Sequence, residues 1–192
     1  MLNLVLFGAP GSGKGTQSEK IIDKYGLHHI STGEVLRKNI KEGTELGKIA
    51  DEYISKGHLI PDSLMVDILR QELKGLPKTT KGVIFDGFPR TIPQAQELET
   101  ILAEMGESLT GVLGLEVAED ELVERMLKRG AETGRADDNI DTIQNRLKVY
   151  HEQTEPLKAH YQGKGSYIAI NGIGNVDEIF SNIANEIDGR VK

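Results

Sequence analysis

Apolar residues recur along this chain with two different periods, and the changes between them mark out its elements. Leu2, Leu4, Val5, Leu6 and Phe7 form a nearly unbroken apolar run, as a strand buried on both faces of a parallel sheet requires. Short runs of the same kind lie at Gly82 to Gly87, Gly111 to Val117 and Ser166 to Ile170, with a weaker one at Leu27 to Ser31. Helical spacing fills the intervals: Gln17 to Gly26, Glu34 to Ile40, Thr44 to Lys56, Ser63 to Leu73, Pro93 to Met105, Ala118 to Gly130, Asn139 to Tyr161 and Val176 to Ile187. Leu46, Ile49, Ala50, Tyr53 and Ile54 share one predicted face. So do Leu122, Val123, Met126 and Leu127, and further on Ile140, Ile143, Leu147 and Tyr150. Asp62 is placed to N-cap the helix that follows it, Ala131 to Asp138 reads as a polar loop, and Pro156 bends or ends the long helix. Strand–helix alternation predicts one α/β domain, a parallel sheet covered on both faces with right-handed crossovers. The two helical stretches between Thr32 and Lys56 break that alternation and read as an insertion.

Composition narrows the chemistry. At 192 residues the chain is long enough for one domain with a substantial core. A net charge of −7 argues against an extended nucleic-acid surface, so any anion site must be a local cationic pocket in an acidic body. With no cysteine, disulfides, thiolate metal sites and thiol catalysis are excluded. No apolar run reaches membrane length and the first residues read as core strand, so a cytoplasmic protein without membrane contact is expected.

The strongest chemical signal follows the first strand. Gly8-Ala9-Pro10-Gly11-Ser12-Gly13-Lys14 matches G-x-x-x-x-G-K, and it stands between a strand and a helix. Such a loop turns backbone N–H groups and the helix dipole toward a phosphate, and Lys14 adds a compact cation for the outer phosphates. The hydroxyl that usually follows the lysine is displaced, since Gly15 stands there and Thr16 comes one place later. Asp86 closes an apolar strand, where open α/β sheets carry ligand-binding groups and nucleotide enzymes place a carboxylate near Mg²⁺. Six of the eight arginines, namely Arg37, Arg90, Arg125, Arg129, Arg135 and Arg146, lie in segments flanking this loop, and guanidinium suits bidentate phosphate contact. Asp137-Asp138-Asn139 serves either as a helix cap or as carboxylates that bond those arginines or the ribose when a loop closes. The histidines show no metal-ligand spacing, and His28-His29 reads as strand and surface. No catalytic triad or acid pair is evident. A nucleoside monophosphate acceptor would need none, because its second pKa is about 6 and it is already largely ionised.

Taken together, GAPGSGKGTQ, STGEVLR, FDGFPRTIPQA, GRADDN and RLKVYHEQTEPL resemble the adenylate kinase family over essentially the whole chain, and that family's loop reads G-K-G-T. The resemblance implies a P-loop three-layer α/β/α fold with a five-stranded parallel sheet. The core would be residues 1–30, 61–127 and 139–192, with a monophosphate-binding part at 31–60 and a short lid at 128–138. It implies Mg²⁺-dependent phosphoryl transfer from ATP to AMP by a monomer, with Mg²⁺ reached from Asp86 through water and no zinc. Carried over by position, Gly11, Ser12, Gly13, Lys14, Gly15, Thr16, Arg125, Arg129 and Gly174 would meet ATP. Thr32, Arg37, His58, Leu59, Ile60, Gly87, Phe88, Pro89, Arg90, Gln94, Arg135 and Arg146 would surround AMP, and Lys14, Arg90, Arg125, Arg135 and Arg146 would act on the transferring group. A UMP/CMP kinase shares these patterns, but Thr32 and the Gln94 amide favour adenine. A non-catalytic nucleotide-binding switch is the alternative of a different class.

Overall fold

A computed structural model describes residues 1–190; Val191 and Lys192, the end of the expected core segment, lie outside the described residues. The strands are β1 (Leu2–Phe7), β2 (His28–Ser31), β3 (Gly82–Asp86), β4 (Gly111–Glu116) and β5 (Tyr167–Asn171), all parallel in the order β2-β3-β1-β4-β5. The predicted parallel sheet is therefore present, with β1 central, paired with β3 from Leu2↔Gly82 to Leu6↔Asp86 and with β4 on its other side. Helices α1 (Lys14–Tyr25), α2 (Thr32–Glu42), α3 (Glu45–Ile54), α4 (Asp62–Lys74), α5 (Ile92–Glu104), α6 (Glu119–Thr133), α7 (Ile140–Val149), α8 (Pro156–Gly163) and α9 (Val176–Arg190) complete the chain.

Both sheet faces are covered for the reason the apolar runs suggested. Val5, Phe7, Val83 and Phe85 pack on one face with residues of α4, α5 and α8, whereas Leu4, Leu6, Ile84 and Leu113 pack on the other with Ile21 of α1 and Ile179, Ile183 and Ile187 of α9. At roughly 1.5–3 kcal/mol for each large apolar side chain buried, this double-sided core is the main stabilising term. A third cluster holds α6 and α7 through Leu122, Met126, Ile143 and Leu147 beside Ala9 of the glycine loop.

The differences from expectation are local. Helix α6 runs to Thr133 rather than Gly130, ended by left-handed Gly134, so the polar loop shrinks to six residues between Gly134 and Asn139. The long helix is three pieces: α7, one π-helical turn over Tyr150–Thr154, and α8 beginning at Pro156, whose ring and missing N–H interrupt the ladder. Ile49, Leu127 and Ile140 were assigned to apolar faces, yet they are exposed, because no neighbouring element reaches over them. Asp62 is the first residue of α4, not its cap; Pro61 holds the cap position and makes no side-chain bond. The caps that do form are Ser31, Thr44, Thr91 and Asn139, each accepting from the N–H three residues on. Among the described residues no helix is long and apolar enough to cross a membrane.

Candidate active site

The glycine loop leaves the carboxyl end of β1 and delivers the chain to the start of α1. Gly13 occupies the cap position in a left-handed conformation (φ 95°), open to glycine at little cost. Gly11 shows the second need for glycine: a Cβ there would lie 2.9 Å from Met126 Cγ and 3.0 Å from the Leu122 carbonyl oxygen, so the loop could not settle against α6. The loop is thus held from behind while its front edge borders a cavity of about 540 Å³.

That cavity collects residues from every part of the chain singled out above. Gly11, Gly13, Lys14, Gly15 and Thr16 form one wall. Thr32, Arg37, His58, Leu59, Ile60, Gly87, Pro89, Arg90 and Gln94 line the other, with Asp86 on the floor and Arg125, Arg129, Arg135 and Arg146 at the α6–α7 side. A smaller cavity of about 290 Å³ adjoins, sharing Gly13, Thr16 and Arg125 and adding Ser12, Gln17, Gly174 and Val176. Phe88 is the exception: its side chain is buried in the core instead of facing the cavity, although Gly87 and Pro89 on either side do face it. The peptide between Phe88 and Pro89 is cis.

The charges of this cavity divide into two kinds. Arg129 holds Asp138 with two bonds (2.6 and 2.8 Å), Arg135 holds Asp137 with two (2.6 and 3.1 Å), and Arg146 joins the pairs by reaching Asp138 at 2.8 Å and Asp137 at 3.2 Å. Asn139 is the cap, as the first reading of the Asp137–Asn139 stretch has it, and the two carboxylates are paired with arginines. Arg125 pairs with Glu121 and also donates to the Gly172 carbonyl. The remaining cations differ. Among the described residues, Lys14 Nζ donates only to the carbonyls of Gly8 (2.9 Å) and Ala9 (3.0 Å), Arg90 Nε only to the Gly87 carbonyl (2.8 Å), and Arg37 has no ion pair.

Titration behaviour reflects this surplus of positive charge. Burial, with nearby Arg90, Arg146 and Arg129 outweighing the attraction of Asp86, lowers the Lys14 ammonium to about 8. Burial and Arg146 lower Arg90 to about 10, and burial with Arg135 lowers Arg37. Burial pushes the Asp86 carboxyl up, but His29, Lys14 and Arg90 together bring it below the ordinary carboxylate range. His29 is thus no surface residue: half-buried on β2, it stands 3.8 Å from Asp86, ion-pair range but too long for a hydrogen bond.

Sequence reasoning also passed over Thr154, which donates to the Arg90 carbonyl at 2.8 Å from the π-helical turn, and the true partners of Asp62. No local pattern signals either, because both partnerships join residues far apart in the chain. Groups of three or more side chains able to hold a metal ion are absent among the described residues. Asp86 shares the cavity lining with Glu19, Glu34, Asp137 and Thr16, and without a cluster of three ligands it suits a hard cation that takes most of its oxygens from water and phosphate.

Comparison with known proteins is consistent over nearly the whole chain. The family model described as adenylate kinase matches residues 6–166. The chain is 59% identical over 188 residues to an adenylate kinase of Bacteroides fragilis, covering 98% of this chain and 99% of that protein. It is 58% identical over 188 residues to one of Bacteroides thetaiotaomicron (98% and 99%) and 53% identical to one of Porphyromonas gingivalis (98% and 96%).

Proposed function

The chain belongs to the adenylate kinase family, and from that premise we propose that it transfers the terminal phosphoryl group of ATP reversibly to AMP, giving two ADP. The observation that carries the reading is the excess of positive charge: Lys14, Arg37 and Arg90 face one cavity with no carboxylate in ion-pair contact among the described residues, in a protein of net charge −7. A buried cation without a partner is costly, and it is retained where an anion completes it.

Each wall has its part. The N–H groups at the start of α1 and Lys14 receive the ATP phosphates, while Arg125, Arg129 and the Gly174 backbone lie on the nucleoside side. Residues 31–60, with Thr32, Arg37 and the His58–Ile60 backbone, form the AMP-binding part, and Gln94 reads the base. Arg90 from the acceptor wall and Arg135 and Arg146 from the α6–α7 side act on the transferring group, where charge spreads over the equatorial oxygens of a loose phosphoryl transition state. Mg²⁺, held beside Asp86 through water, would supply further counter-charge on the ATP oxygens. Residues 128–138 act as the lid that keeps water from the phosphoryl group; the Asp137 and Asp138 pairs keep their arginines oriented before substrate arrives. No residue is needed as base, since the acceptor oxygen is already ionised. All these groups come from one chain, so we take the working unit to be a monomer, acting on cytoplasmic nucleotides.

ADP formation from ATP with AMP, CMP or UMP tests the reading. AMP should give the highest kcat/KM; preference for CMP or UMP would make the protein a pyrimidine nucleotide kinase, and no ADP at all would make it a binding switch. A second expectation concerns Lys14. Its ammonium titrates at about 8 when the cavity is free of phosphate, so above that pH it is mostly neutral. Polyphosphate favours the charged form and raises the pKa, so ATP binding at about pH 8.5 should take up a proton, and at pH 7 almost none. Calorimetry in two buffers of different ionisation enthalpy reads this uptake directly. Equal binding heats in both buffers at about pH 8.5 would contradict it.

A further inference from the structure

Asp62 was expected to cap a helix, and the structure uses its carboxylate elsewhere. Its Oδ1 accepts two hydrogen bonds, from Thr91 Oγ1 at 2.9 Å and from Gln94 Nε2 at 2.8 Å. Gln94 is 1% exposed and on its other side accepts the backbone N–H of Arg90 at 2.8 Å through Oε1. The Thr91 hydroxyl in turn accepts the Gln94 N–H at 3.3 Å, closing a ring of three bonds through Asp62, Thr91 and Gln94, with the Arg90 bond beside it.

The chemistry of the partners allows only one orientation of the Gln94 amide. A backbone N–H can only donate, so it must face the amide oxygen, and a carboxylate can only accept, so it must face the amide nitrogen. Turning the amide over would set donor against donor and acceptor against acceptor in a buried place. With these two bonds made, the amide keeps one N–H and one oxygen lone pair unspent at the cavity. That donor–acceptor pair complements a base edge with an acceptor ring nitrogen beside an exocyclic amino group, as adenine has. It mismatches a ring N–H beside a carbonyl, as in hypoxanthine, guanine and uracil.

We infer that Asp62 is a positioning residue for base selection, holding the Gln94 amide so that AMP is matched and 6-oxopurine monophosphates are refused. This rests on the proposed reaction with AMP. Asp62 touches no substrate and acts through Gln94, with Thr91 aligning its oxygen.

Two substitutions separate this role from a merely structural one, because Asp62 also places a negative charge in the first turn of α4. Asp62→Ala removes charge and acceptor; Asp62→Asn removes the charge but keeps a carbonyl oxygen that can accept both bonds. With ATP as donor, Asp62→Ala should lower kcat/KM for AMP about tenfold, on the scale of one buried hydrogen bond, leave KM for ATP within about twofold, and shrink the AMP to IMP preference in proportion. Asp62→Asn should restore the AMP value and the preference while sharing any loss of thermal stability. Equal losses of AMP preference in both variants would overturn the inference, as would an Asp62→Ala enzyme whose AMP to IMP ratio is unchanged or whose ATP and AMP constants move together. Should Asp62→Ala not fold, the wild-type protein still decides: the Gln94 side-chain amide should give a sharp, slowly exchanging NMR pair without AMP, and a fast-exchanging averaged pair would overturn the assignment. Wild-type turnover of AMP is the control, and its absence would sink the underlying reaction, not this inference.

Discussion

Lys14→Met should nearly abolish turnover, lowering kcat by about a hundredfold to a thousandfold, and at the same time leave the nucleotide-free protein at least as stable as the wild type. The loss follows from position. Lys14 Nζ spends two of its three protons on the Gly8 and Ala9 carbonyls, which holds it at the mouth of the loop with one proton for the ligand. No other cation belongs to the loop itself, and removing a preorganised charge from a transition state of this kind costs about 3–4 kcal/mol. The gain follows from burial. A pKa brought from 10.5 to about 8 means that keeping the ammonium charged at neutral pH costs the fold on the order of 3 kcal/mol, less whatever solvent in the cavity returns. Methionine matches the stem in length and carries no charge, so that cost disappears. Thermal melting beside a coupled ADP assay gives both readings, and a marked drop in melting temperature would point to a structural role for Lys14 instead.

Arg90→Met should behave in the same manner on the acceptor side. Arg90 has no carboxylate in ion-pair contact among the described residues, and burial beside Arg146 outweighs the attraction of Asp86 and lowers it to about 10, so the free protein holds this charge at a cost. Its one protein bond, Nε to the Gly87 carbonyl, aims the fork into the cavity, and Thr154 pins the backbone behind it. We expect kcat/KM for AMP to fall by about a thousandfold with KM for ATP little changed. Arg90→Lys should recover only part of this, since the charge returns without the planar pair of donors. Full activity in Arg90→Lys would show that charge alone suffices there. Arg129 or Arg135, already paired with Asp138 and Asp137, should give smaller losses than Arg90 when replaced.

How far the chain could be read in advance depended on how local each feature is. The glycine loop was legible because strand, loop, lysine and helix are contiguous, and the sheet because apolar strands buried on both faces leave an unbroken run. The arginines were legible as a set. Which of them are already paired was not, because that depends on carboxylates brought alongside by the fold: Arg129 meets Asp138 across the turn between α6 and α7, whereas Arg90 meets none. Asp62 shows the same limit from the other direction. A residue before an apolar helix looks like a cap, yet its oxygen goes to Thr91 and Gln94, 29 and 32 positions away. Ile49, Leu127 and Ile140 fit helical periodicity, but periodicity fixes an angle around an axis and not whether anything packs there. The end of α6 was placed too early, since Gly130 is tolerated inside the helix where its bare Cα sits against Asp138; a Cβ would lie 2.7 Å from that residue's carbonyl oxygen.

The central claim is that two nucleotides meet phosphate to phosphate inside one cavity, between the loop of Lys14 and the wall of Arg37 and Arg90. Calorimetric titration with two adenosines joined through five phosphates addresses it most directly. The account predicts one molecule bound per chain, tighter than ATP or AMP alone, in competition with both and weakened severely by Lys14→Met and by Arg90→Met alike. Two molecules bound per chain, or competition with ATP while AMP still binds, would place the nucleotides in separate sites and contradict it.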